Sequence, residues 1–309
     1  MLGAMTTKAL VALILTGALC AGCGEDQAMP DRDRAGLADI RTEVEQMVAD
    51  FEAREPMRAF LHDMPLSAAY FWQDVFVEAA AESMGGIAGY KTGGHDPGPG
   101  FPIFPLNGIR GAILEGMLRP SGSSLSLDET RRGFLEADFA VRVGDASINT
   151  ADTDMEMLAG LDAIIPFAEI PDPYYEDGTR SINGTIAANM GSRYSYYGEP
   201  VAIEANPLWL ARLDSFTFAV HNEQGDELNR GSIEGWYRPL DVIRWLRDSL
   251  VEGGKRLEPG DLLSLGNIGI IHQLHEGSPR GPAYPYDEFT LSYYGLGDEP
   301  ASVTIRIER

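Results

Sequence analysis

The stretch FLEADFAVRVG, residues 134–144, constrains this chain more than any other. Its apolar residues Leu135, Ala137, Phe139, Val141 and Val143 recur with the period of two that defines a β-strand. Glu136 and Asp138 therefore stand side by side on the other face. A wet face would explain both, because an antiparallel sheet often turns one side to solvent. The other explanation is that the pair faces something positive.

A second segment raises the same question. IIPFAEIP, residues 164–171, reads as a short apolar strand with one acid, Glu169. A lone carboxylate is costly to bury without a partner. An edge position or a clamp of backbone N–H groups would satisfy it. So would a cation. If Glu136, Asp138 and Glu169 converge, their charge calls for a hard divalent ion, Mg²⁺ or Mn²⁺ by preference, with Ca²⁺ also accommodated. Three acids leave about three coordination positions for water or substrate.

The surrounding chain is helical first and strand-rich later. Residues 36–55 carry Leu37, Ile40, Val44, Met47, Val48 and Phe51 at helical spacing. A second helix is expected over 71–84, ended by Gly85 and Gly86. YKTGGHDPGPGFPIFPLN is rich in Gly and Pro and reads as a loop. Residues 148–161 hold a helix with the capping box Thr153-Asp154-Met155-Glu156. Pro239 opens a further helix that Gly253 closes. The expected class is α+β with a mostly β core.

The first residues do not belong to that fold. One early Lys8, an apolar run from Ala9 to Leu19 and small residues before Cys23 form a secretory signal. Leu19-Cys20-Ala21-Gly22-Cys23 resembles a bacterial lipobox, with Cys20 as its departure. The expectation is an exported lipoprotein, periplasmic or at the outer membrane, lipidated on Cys23 and touching the membrane only through that anchor. An ordinary signal cut nearby, or a cytosolic protein with an apolar tail, is the plainer alternative. Residues 1–22 are then signal peptide, 23–36 tether, 37–84 an N-terminal helical region and 85–309 a catalytic domain. Of the two cysteines the mature chain would keep only Cys23, so it has no internal disulfide. A net charge of −23 argues against nucleic acid as a partner. It leaves an anionic small substrate open, since a bound metal inverts the local field.

Several blocks, in order, resemble the fumarylacetoacetate hydrolase superfamily, in the branch of 2-oxopent-4-enoate hydratases and oxalocrotonate decarboxylases. GYKTGG is similar to the family's G-x-K-x-G segment, and LEADFAVRVG to its E-x-E strand. DAIIPFAEI resembles the strand of the third acid, and TIAANMGS the D-N-A-S loop. Residues 231–269 resemble its G-H-P-L…G-D-x-x-x-T-G segment. The resemblance implies a rolled, mostly antiparallel β-sheet with flanking helices. It implies Glu136, Asp138 and Glu169 as ligands of Mg²⁺ or Mn²⁺, and Lys91 as the group that binds substrate charge or moves protons. Asn189, Gly266 and Asn267 fall at substrate-binding positions. Such proteins are commonly homo-oligomers.

The departures fall among proton-transfer groups. The family's acid beyond the lysine is absent at Gly108-Ile109-Arg110-Gly111. Ala188, Arg238 and Leu265 replace an Asp, a His and a Thr. His95 and Asp96, near Lys91 in sequence, are the candidates to substitute as acid or base. His272-x-x-His275 matches part of a zinc site, but no third ligand is apparent, and both read as loop or surface residues. The implied activity is a divalent-metal-dependent lyase of hydratase type acting on a small 2-oxo acid or an unsaturated 2-hydroxy acid. A decarboxylase or C–C hydrolase with the same site, or an exported protein that binds without catalysis, are the alternatives.

Overall fold

The structure, a computed structural model, describes residues 31–58, 66–95, 108–176, 181–277 and 281–309. The expected signal, Cys23 and Asp96 lie outside the described residues. Helices run over α1 (Asp31–Ala53), α2 (Leu66–Met84), α3 (Asp154–Ala159), α4 (Ile182–Ala187), α5 (Pro207–Ser215) and α6 (Pro239–Glu252). Strands in the first half are β1 (Ile87–Gly93), β2 (Ile109–Leu114), β3 (Leu118–Pro120), β4 (Ser124–Ser126), β5 (Phe134–Val143), β6 (Leu161–Pro171) and β7 (Ser192–Tyr197). The second half adds β8 (Val201–Ala202), β9 (Thr217–Asn222), β10 (Glu227–Ser232), β11 (Leu262–Ser264), β12 (His272–Gln273), β13 (Glu288–Tyr294) and β14 (Ala301–Glu308).

The chain forms two compact units. One comprises the described residues up to Ala79 together with Tyr175–Ala188; the other comprises Ala80–Tyr174 and Asn189–Arg309. In the first unit α1 buries Val44, Met47, Val48 and Phe51, one stripe of the helix. Phe51 meets Phe76 of α2 edge-on, ring centres 5.7 Å apart. Ser181 caps α4, its hydroxyl accepting from the Gly184 N–H at 2.9 Å. Gln73 donates to the Ile186 carbonyl at 2.8 Å. Helix α1 already starts at Asp31, inside the span expected as tether.

The second unit holds two mostly antiparallel sheets, the α+β arrangement expected. The larger runs β2-β1-β11-β5-β6-β7-β3, with β12 beside β5 and β8 beside β6; the smaller runs β10-β9-β13-β14-β4. Parallel pairs occur at β1/β11, β3/β7 and β14/β4. Tyr293 of β13 ties the sheets together: its hydroxyl donates to the Asp138 carbonyl and, at 2.9 Å, to that of Phe167.

The helix ends follow the local chemistry. Thr153 and Glu156 form the capping box of α3, each side chain accepting from the other's backbone N–H at 3.2 and 2.9 Å. The helix stops at Ala159, and the apolar run from Leu161 is claimed by β6 instead. In α6, Pro239 fills the first turn and Leu240, Ile243, Leu246 and Leu250 are buried. Strand β5 differs from the wet-face expectation. Residues on both its faces are buried: Asp138 is fully buried and Glu136 half-buried.

Candidate active site

Register decides which side chains meet. In β5 and β6, Glu136 is the Cα partner of Glu169, and Asp138 that of Phe167. Strand β11 joins β5 with Ser264 opposite Ala140, and β1 joins β11 with Lys91 opposite Ser264. Paired residues share a face, as do residues two apart in a strand. Lys91, Ser264, Asp138, Glu136 and Glu169 therefore lie on one face of four adjacent strands. Lys91, Asp138 and Glu169 are 3%, 0% and 2% exposed, while Glu136 is half-buried.

The contacts follow from that placement. The Lys91 ammonium pairs directly with Glu169. The Ser264 hydroxyl lies 2.7 Å from Asp138 Oδ2 and 2.8 Å from Glu169 Oε1. Asp138 also accepts from the Phe139 N–H at 2.6 Å and the Gly266 N–H at 3.1 Å. Gly266 reaches it with φ +102°, a conformation that favours glycine. Tyr237 in turn donates to the Gly266 carbonyl at 2.6 Å.

The electrostatics set three acids against one lysine. Burial opposes the Lys91 ammonium, but the Glu169, Glu136 and Asp138 carboxylates outweigh it and hold its pKa above the ordinary value. Burial and the Glu169 charge push the Asp138 carboxyl well above the usual carboxylate range, against its hydrogen bonds. With all three acids ionised, this face would carry two more negative charges than the Lys91 ammonium balances. A divalent cation is the hard, oxygen-seeking species that balances such a set. Among the described residues no three His, Cys, Asp or Glu side chains already close around one point. The Lys91 ammonium, paired with Glu169, stands among the acids instead.

Other expected site residues lie elsewhere. His95 bonds the Thr92 hydroxyl at 2.6 Å and meets Trp245 edge-on at 4.8 Å. Thr92 follows Lys91 in β1, so its side chain points to the opposite face. His95 is thus on the far side of the sheet from Lys91, and burial lowers its pKa to about 4. Asn189 clamps β2: its amide donates to the Ala112 carbonyl at 2.9 Å and accepts from the Ala112 N–H at 2.7 Å. Gly111 makes room for it, since a Cβ there would come within 2.9 Å of Asn189 Oδ1. Asn267 binds the Gly269 backbone through both ends of its amide. The two histidines of the zinc-like spacing do not act together. His275 bonds the Thr130 hydroxyl at 2.7 Å. His272 is not a surface residue: it is fully buried in β12, against Tyr284 and Phe289.

Ser264 was missed by sequence reasoning. Its signal resembles that of Glu169, a lone polar residue inside the apolar run Leu262-Leu263-Ser264-Leu265.

No family model matches the chain. It is 26% identical over 169 residues to 2-keto-4-pentenoate hydratase 1 of Dechloromonas aromatica strain RCB, covering 54% of this chain and 59% of that protein. The chain thus spans 59% of that relative's length. In structure it is similar to 4-oxalocrotonate decarboxylase from Pseudomonas putida G7 complexed with magnesium and adipate. The TM-score is 0.68 at 18% identity, over 92% of this chain and all of that one. The same enzyme complexed with calcium and acetate gives a TM-score of 0.67 at 19% identity, again over 92% of this chain. The sequence likeness is thus to a 2-keto-4-pentenoate hydratase, in keeping with the resemblance read from the sequence. The structural one shows the fold.

Proposed function

We propose that this chain is a divalent-metal-dependent lyase of hydratase type acting on a small 2-oxo acid or an unsaturated 2-hydroxy acid. The observation that carries this reading is the buried face on which Glu136, Asp138 and Glu169 outnumber Lys91 in charge. The three carboxylates would hold Mg²⁺ or Mn²⁺, with Ca²⁺ also accommodated. When bound, the metal supplies Lewis-acid polarisation of a substrate oxygen. Lys91 presents a buried, charged ammonium. It attracts the substrate's carboxylate, and as an ammonium it is the group placed to deliver a proton there. Decarboxylation or C–C hydrolysis would use the same groups.

One observation favours binding without catalysis. Arg238, at the position of the family's histidine, spends its guanidinium on Asp154 at 3.0 Å and Asp214 at 3.4 Å. Assay of 2-keto-4-pentenoate and 4-oxalocrotonate with Mg²⁺, and again after chelation, separates the two. Metal-dependent turnover supports the lyase. Saturable binding with no turnover supports the binding protein. Export rests on the apolar run before Cys23, and palmitate labelling abolished by Cys23→Ala would support lipidation. Assembly into a homo-oligomer is read by light scattering.

A further inference from the structure

Ser264 is fully buried in β11, between the lysine strand and the first acid strand. Its hydroxyl stands between two carboxylates, at 2.7 Å from Asp138 Oδ2 and 2.8 Å from Glu169 Oε1. Those carboxylates come from different strands, and among the described residues no backbone N–H is recorded donating to both. Asp138 has its own backbone donors, Phe139 and Gly266. Glu169 has Lys91 and Ser264. The hydroxyl has a single proton, which it shares between the two carboxyl oxygens within reach, so one small group touches both.

We infer that Ser264 is a positioning residue of the site: its hydroxyl sets the separation and orientation of Asp138 and Glu169 so that both present oxygens to one divalent ion. This inference rests on the metal-site reading proposed above. Ligand carboxylates are ordinarily held by such outer hydrogen bonds, and losing one weakens metal binding about 10- to 100-fold. A serine that only filled space in β11 would be replaced by alanine with no such effect.

The test compares full-length wild type, Ser264→Ala and Ser264→Thr, titrated with Mn²⁺ while the paramagnetic resonance of free Mn²⁺ is followed. That signal does not depend on turnover. The expected result is binding to Ser264→Ala about 10- to 100-fold weaker than to wild type, with most of the loss restored by Ser264→Thr, which keeps the hydroxyl. Thermal unfolding without metal checks that each variant is folded. If Ser264→Ala does not fold, Ser264→Cys, similar in size and a weak donor, is read in its place. Equal Mn²⁺ affinity in wild type and Ser264→Ala would overturn the inference and leave the metal site standing. A wild type that binds no Mn²⁺ would overturn both.

Discussion

Glu136 and Glu169 stand directly opposite each other as registered partners on the antiparallel strands β5 and β6. Side chains so placed have Cβ atoms about 4.5–5.5 Å apart, and like charges there repel. On the metal-site reading, the Lys91 ammonium offsets part of that repulsion and a bound divalent ion would offset the rest. Glu136→Gln is expected to raise the melting temperature of the metal-free protein and to weaken its response to Mg²⁺. For wild type, Mg²⁺ at 100 times its dissociation constant stabilises the fold by about 2.7 kcal/mol. Melting curves with and without Mg²⁺ check both.

Lys91 gives the opposite sign. It is a buried cation facing three acids, and Lys91→Met strips the charge while keeping the length. Breaking a buried ion pair by removing one partner costs about 3–5 kcal/mol. Unfolding by denaturant should show that loss, and Mg²⁺ should restore part of it. Turnover of a 2-oxo acid should fall about 10²–10⁴-fold, the range of a lost proton-transfer group.

His272 makes the stability depend on pH. Neither ring nitrogen has a hydrogen-bond partner among the described residues, and burial lowers its pKa from 6.5 to about 4. Between those values the unfolded chain takes up the proton and the folded chain does not. Stability is therefore unaffected above pH 6.5 and falls as pH drops towards 4, by about 3 kcal/mol at one pKa unit per 1.36 kcal/mol. His272→Phe removes that slope and, by removing an unsatisfied buried polar group, adds about 1–3 kcal/mol at neutral pH. Urea unfolding of both proteins at several pH values measures the difference.

Asn189 separates a clamp from a substrate contact. Its amide holds both backbone groups of Ala112. Asn189→Ala leaves those groups unpaired and is expected to lower stability by about 1–3 kcal/mol per group left unsatisfied. A KM unchanged in the folded fraction would assign Asn189 to the clamp; a raised KM at unchanged stability would assign it to substrate.

The alternation in residues 134–144 made β5 legible, and the isolation of Glu169 in an apolar run marked it as a residue needing a partner. Spacing could not say that Glu136 pairs with Glu169, because register across strands is set by packing outside either segment. Local proximity misled for His95. Three residues separate it from Lys91, yet one step along a strand turns Thr92, its partner, to the other face. His272 escaped because a short strand within a run of turns has no period to read. The capping box of α3 was read correctly because the interaction is local, within a single turn of helix.

The most direct measurement is a crystal of the protein soaked with Mn²⁺ and oxalate, with the anomalous scattering of manganese used to find the ion. The predicted result is one strong peak bound by oxygens of Glu136, Asp138 and Glu169, with oxalate completing the shell and the Lys91 ammonium moved off Glu169 onto the oxalate. Manganese bound elsewhere, or none at all with Lys91 still paired to Glu169, would contradict it.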